Sequence, residues 1–202
     1  TCAEQALLPV GMHKHGHACV WCVIVPSCGD DSRRVLWYLH LCYCPWQGFP
    51  GEGHKDVKLH GLRLVTCNTT SWRSLLREVK HESLRAADII CLHEIKMRQG
   101  QVEPFTRNVR ALGCHCKIHI SQITTEGGLS AGVAILWRTT LHVMPTCELS
   151  TPSERSVAIS LHDAKQGVVD IACVYGHVGR PSASWCLVLD MISIFRLSGL
   201  PS

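Results

Sequence analysis

Three scarcities narrow the class of this chain before any motif is considered. No apolar stretch is long and uninterrupted enough to cross a bilayer, there is no internal repeat or low-complexity tract, and charged residues make up only 18%. The first argues against a spanning helix, and the second against a repeat array. The third, beside an apolar share of 46%, argues against wholesale disorder and for a globular chain. The N-terminus TCAEQALLPV also lacks an initiating Met and the basic-then-apolar pattern of a signal peptide. The expectation is a soluble, intracellular protein with no transmembrane segment, read as part of a longer chain.

With 202 residues the chain suits one domain, or one domain with an extension. Its thirteen cysteines are odd in number and cannot all pair within the chain, so reduced thiols are expected in preference to a disulfide framework. The net charge of +4 is uneven: residues 61–202 hold 15 Lys+Arg against 11 Asp+Glu, while residues 1–60 balance 5 against 5. That excess is compatible with a polyanionic partner.

Residues 1–60 mix short apolar runs with Gly, Pro, His and Cys and read as a Cys/His-rich, poorly structured extension. His13, His15, His17, Cys19 and Cys22, with Cys28, Cys42 and Cys44 beyond, have residue types that could hold zinc. No second matching knuckle closes that set. Gly48 to Gly53, around Pro50, reads as a linker. From Gly61 the pattern changes to alternating helical and strand periods. GLRLVT reads as a strand, and Trp72, Leu75, Leu76 and Val79 as a helix face after a Thr-Thr-Ser capping run. ADIICLH, apolar on both faces, reads as a central strand. Val102, Phe105, Val109 and Leu112 mark a second helix ending at Gly113. CHCKIHI and AGVAILW follow as strands. RSVAISLH and VVDIACVY flank the turn DAKQG as an antiparallel pair, and a last helix carries Trp185, Val188, Met191, Ile192 and Phe195. This order predicts α+β, layered packing rather than a simple βαβ repeat.

Polar groups close three of the strand candidates: Asn68 after RLVT, Glu94 after IICLH, and Tyr175 at the end of DIACVY. Strand mouths are where a rigid sheet presents reactive groups to a cleft. Each residue has a plainer use: Glu94 as a surface carboxylate, Asn68 as a turn or cap, Tyr175 as a packed ring with its hydroxyl at the rim. The run LRLVTCN, a helix, ADIICLHEIK, GVAILWR, ERSVAISL and VDIACVYG resembles the endonuclease/exonuclease/phosphatase superfamily, the fold of deoxyribonuclease-I-like and exonuclease-III-like enzymes. The resemblance covers about residues 61–197 and lies in the order of its elements.

The resemblance implies the N-terminal part of a four-layer α/β/β/α sandwich, its second sheet incomplete, over residues 61–202. It implies a metal-dependent phosphodiester or phosphomonoester hydrolase, with Glu94 binding magnesium, or manganese in its place, Asn68 beside it, and Tyr175 orienting the phosphate. A hard cation suits such a site, because it takes oxygen ligands and often only one or two carboxylates. Nucleic acid is the expected partner; a phosphorylated small molecule or lipid head group fits the same chemistry. The family's Gly-Asp-x-Asn and Ser-Asp-His motifs, which supply the general base, are absent from this sequence. The alternative expectation is therefore a catalytically inactive copy acting as a binding module or without function. The family also often reads Leu-Gln-Glu where this chain has Leu92-His93-Glu94, a change beside the metal position. His115 and His119 read as the solvent face of a strand. Cys91, Cys114, Cys116 and Cys173 read as small core hydrophobes, and Arg155 is assigned no role.

Overall fold

The structure, a computed structural model, describes residues 19–27, 37–42, 54–59, 62–69, 71–73, 82–144, 155–163 and 167–176. In chain order its elements are β1 (Cys19–Ser27), β2 (Trp37–Cys42), β3 (His54–Leu59), β4 (Leu62–Asn68), the short helix α1 (Glu82–Arg85) and β5 (Ile89–His93). A 3-10 turn (Gln99–Gln101) leads into α2 (Val102–Ala111), followed by β6 (Cys114–His119), β7 (Gln122–Ile123), β8 (Leu129–Ser130) and β9 (Val133–Arg138). The last are β10 (Val143–Met144), β11 (Ser156–Asp163) and β12 (Gly167–Tyr175).

The strands form two five-stranded sheets and one small hairpin. The first sheet has the order β3-β4-β5-β9-β6. Its β4 and β5 run parallel and its other neighbours antiparallel, so the arrangement is α+β with a mixed sheet. β5 takes the centre, as a strand apolar on both faces should, and all five of its residues are buried. One face of this sheet packs Val65, Ile90, Leu92 and Leu136 against Phe105 and Val109 of α2. That helix buries Phe105 and Val109 with Val102 packed at their side, whereas Leu112, expected on the same face, is exposed past the helix end, and the chain turns where Gly113 adopts φ +72°, a conformation that costs glycine little. Phe105 is fully buried and meets Trp72 edge to face at 6.2 Å between centroids.

The opposite face packs Leu64, Ile89, Cys91, Val133 and Ile135 against Val157, Ile159, Leu161, Ile171, Cys173 and Tyr175 of the second sheet. That sheet has the order β10-β11-β12-β1-β2 and is antiparallel throughout. Its β11–β12 hairpin closes with Asp163 opposite Gly167, around the turn read from DAKQG. Helix, sheet and sheet are thus stacked in layers, each joined by side chains of period-2 strands.

The described parts of residues 1–60 are strands. β1 lies between β12 and β2, and β3 forms a hairpin with β4 in which Leu59 faces Leu62, across the position where the sequence pattern changes. Pro26 interrupts nothing. It lies beyond the stretch of β1 paired to β2, where one flank of the strand has no ladder partner among the described residues. The helix read over Trp72 to Val79 lies largely outside the described residues, and the one read over Trp185 to Phe195 wholly so, as do His13, His15, His17, Cys28 and Cys44. No described helix is long and apolar enough to cross a membrane.

The packing of α2 onto the first sheet gives a direct stability test. Replacing Phe105 by Ala should cost about 3–5 kcal/mol, whereas Ile123→Ala, at a side chain 71% exposed, should change stability by less than about 0.5 kcal/mol. Urea denaturation of both variants checks the contrast; equal costs would contradict the layering.

Candidate active site at the ends of β4, β5 and β12

The site is built where three strands stop. β4 and β5 are parallel and in register, so Asn68 lies opposite His93 and one residue short of Glu94. Alternation along β4 puts Asn68 on the same face as Leu64 and Thr66, the face turned to the second sheet. Immediately after Asn68, Thr69 donates both its N–H (2.9 Å) and its hydroxyl (3.1 Å) to the His93 carbonyl. The ends of the two strands are thereby tied one residue before the carboxylate.

Glu94 then leaves the strand with φ +54°, and Lys96 follows at φ +43°. Such values are uncommon for residues with a Cβ and persist where surroundings over-determine them. Here the surroundings are explicit. Ile95 donates its N–H to Gly132 O (3.2 Å) and accepts from the Trp72 N–H (2.9 Å), while Met97 N–H donates to Ser121 Oγ (2.9 Å). Ile95 and Met97 are fully buried in the core beneath α2, and Glu94 is half-buried. Gly132, at φ +83°, has no room for a side chain: a Cβ would run into Ser121 Oγ and stand 2.9 Å from Ile95.

Tyr175 arrives from the second sheet. It is 3% exposed, and its hydroxyl donates a hydrogen bond to Glu94 Oε1. Burial first, and then the adjoining Glu94 carboxylate, push the phenol above the ordinary tyrosine range, while Arg155 pulls it the other way. Arg155 holds its guanidinium 5.6 Å from the centre of the Tyr175 ring and donates from Nη1 to Gly176 O (3.2 Å). The Arg155 carbonyl also accepts the Tyr175 N–H (2.7 Å).

Of the three residues singled out in the sequence, the structure brings Glu94 and Tyr175 into contact and sets Asn68 on the strand end beside them. Two further residues belong to the same place. Arg155 is one, stacked on the tyrosine. The other is His93, fully buried between the sheets, with Nε2 3.0 Å from Cys173 Sγ and Nδ1 3.4 Å from Cys67 O and 3.5 Å from Thr66 Oγ1. Burial lowers its pKa from the ordinary 6.5 to about 4, against a smaller upward pull from the Cys67 carbonyl, so the ring is neutral near pH 7. The signal available in the sequence was a polar residue at the last position of an otherwise apolar central strand.

Cys67, Cys91, Cys114, Cys116 and Cys173 form no disulfides, and burial raises the pKa of Cys114 and Cys116, away from nucleophilic thiolate. His115 is exposed and stands 5.9 Å from the Trp137 ring. Among the described residues no three His, Cys, Asp or Glu side chains gather as a metal-binding group. Glu94 and Asn68 offer oxygen donors only, the set a hard cation takes when water and phosphate complete its shell. The Tyr175 hydroxyl occupies one acceptor position of a carboxylate that has about four. The residues present therefore fit a magnesium or manganese ion. Comparison with protein-family models, curated proteins and solved structures gives no match.

The buried imidazole sets an acid limit to stability. Its folded-state pKa of about 4 lies below the ordinary 6.5, so on acidification the unfolded chain takes the proton first. Stability from this group is complete above pH 6.5 and declines toward pH 4, by about 3 kcal/mol. Asp170, whose carboxyl is pushed up by burial, offsets part of that loss at the acid end. The urea midpoint should fall between pH 7 and pH 4 and fall less in His93→Gln; identical pH dependence in the two proteins would contradict the burial of His93.

Proposed function

We propose that the chain carries the metal-binding half of a magnesium-dependent phosphodiester or phosphomonoester hydrolase. The observation that carries this reading is the contact of Tyr175 with Glu94 across the two sheets, beside Asn68. It unites in one place residues that lie far apart in the chain and that the endonuclease/exonuclease/phosphatase resemblance had already singled out. Glu94 would hold the cation, magnesium or equally manganese, with Asn68 next to it. When bound, the cation supplies positive charge to a phosphoryl oxygen and to the leaving oxygen. The chain's own part is to orient: Tyr175 keeps its proton well past neutral pH and donates it as a hydrogen bond, either to Glu94 or to a phosphate oxygen taking that place. Val133 and Cys173, in the core between the two sheets with Tyr175, are fully buried.

The finer fold expected of this family, a four-layer sandwich, is supported by burial on the far side of the second sheet. Ala158 and Ala172, with Val174, are fully buried on the face turned away from the first sheet, as a covering layer would leave them. A nucleic acid is the preferred partner because the positive excess falls in residues 61–202. A phosphorylated small molecule or lipid head group is the alternative.

A second reading is a binding module without turnover. What favours it is the absence of the Gly-Asp-x-Asn and Ser-Asp-His motifs from the sequence, together with a site that gathers no group of three His, Cys, Asp or Glu among the described residues. A phosphate held against a metal gains little without a positioned base for the attacking water.

Hydrolysis of plasmid DNA and of bis(p-nitrophenyl) phosphate with increasing magnesium separates the two. The hydrolase reading predicts chelator-sensitive turnover that falls about 100-fold or more in Glu94→Ala. Equal activity in both proteins would remove Glu94 from the mechanism. Manganese binding without turnover would leave the binding module.

A further inference from the structure

We infer that His93 is a positioning residue for this site: its imidazole is the strut that sets the distance between the strand ends bearing Asn68, Glu94 and Tyr175. The inference rests on the reading of Glu94 and Tyr175 as the working pair, and it concerns how that pair is held.

The geometry is a bridge with two feet. On the first sheet, His93 Nδ1 faces the Cys67 carbonyl at 3.4 Å and the Thr66 hydroxyl at 3.5 Å. The Cys67 carbonyl only accepts, so the tautomer with the proton on Nδ1 pairs it and leaves Nε2 as an acceptor. On the second sheet, Cys173 Sγ stands 3.0 Å from Nε2 and 3.5 Å from the Leu92 carbonyl, so its S–H faces two acceptors on β5. Each foot stands just behind a site residue. Cys67 precedes Asn68, and Cys173 lies two residues before Tyr175 on the same face of β12. His93 itself precedes Glu94, and its ring centre is 6.3 Å from that of Tyr175.

Neighbouring contacts between the two sheets are apolar and adaptable, for example Ile89 and Cys91 with Ile159 and Ile171. Apolar contacts tolerate small slides, whereas a fully buried imidazole with polar contacts on both sides resists them, since shifting either sheet lengthens a contact to a buried polar ring. The groups facing the Tyr175 ring and hydroxyl are Glu94 just beyond β5, Arg155 just before β11, and His93 at the end of β5.

The test reads the Tyr175 phenol in the full chain, by NMR of its ζ-carbon resonance in carbon-labelled tyrosine at neutral pH, assigned with Tyr175→Phe, at temperatures well below unfolding. Removing the strut in His93→Leu should loosen the contact with Glu94 and move that resonance toward the position of an unbonded tyrosine. His93→Gln, which keeps a donor and an acceptor, should hold it near the wild-type position. Should His93→Leu fail to fold, Cys173→Ala removes the second foot alone and is expected to give the same displacement. A phenol unmoved in folded His93→Leu, or in Cys173→Ala, overturns the inference; lower melting temperature by itself would not produce the shift. Manganese titration, followed by the resonance of the free ion, runs in parallel. If wild type binds no manganese while the phenol still responds to His93, the metal reading fails and the strut stands. If manganese binds through Glu94 and the phenol ignores His93, the reverse holds.

Discussion

Everything proposed for this chain depends on two sheets meeting at a fixed spacing. The hydrogen bond from Tyr175 to Glu94 is the visible sign of that constraint. It joins the last residue of β12 to the first residue beyond β5, in different sheets and remote in sequence, so neither strand could supply the pair by itself. Beneath it the core changes from apolar packing to one polar contact set, Thr66, His93 and Cys173, that links the two sheets. Apolar layers drive the sheets together, and the polar set decides where they stop.

The shape of the site follows from how the chain leaves its strands. Thr69 clamps the His93 carbonyl, Gly132 admits Ile95 where any side chain would collide, and Met97 locks onto Ser121. Between these anchors Glu94 takes a left-handed backbone conformation that turns its carboxylate out of the strand. Strain of this kind, of order 1–3 kcal/mol, is tolerated where packing over-determines it. A strand-end glutamate on an ordinary surface has no such anchors on either side and no tyrosine hydroxyl from a second sheet against it.

Much of this was legible in the sequence, for local reasons. IICLH is apolar at every position and so belongs in the middle of a sheet, and the Val102, Phe105, Val109 spacing can only bury one helical face. The DAKQG turn fixed the β11–β12 hairpin because short antiparallel connections carry their own chemistry. What stayed hidden was non-local. β1 belongs beside β12, some 150 residues away, and its connection to β2 is too long to show a hairpin turn signal. The candidate site divided in the same way. Strand-end Asn68, Glu94 and Tyr175 stand out in the sequence, whereas the role of His93 depends on Cys173, a partner that only the packing of two sheets reveals. Arg155 likewise reads as a turn residue until its guanidinium is found over the Tyr175 ring.

The central claim is that a divalent cation sits against Glu94 on the side shared with Tyr175 and Asn68. Anomalous diffraction from crystals soaked in manganese tests it most directly. The account predicts a peak about 2.0–2.3 Å from a Glu94 carboxylate oxygen, with the Asn68 side chain beside it and the Tyr175 ring lining the same cleft. A peak elsewhere with Glu94 turned to bulk solvent, or no peak at saturating manganese, would contradict it.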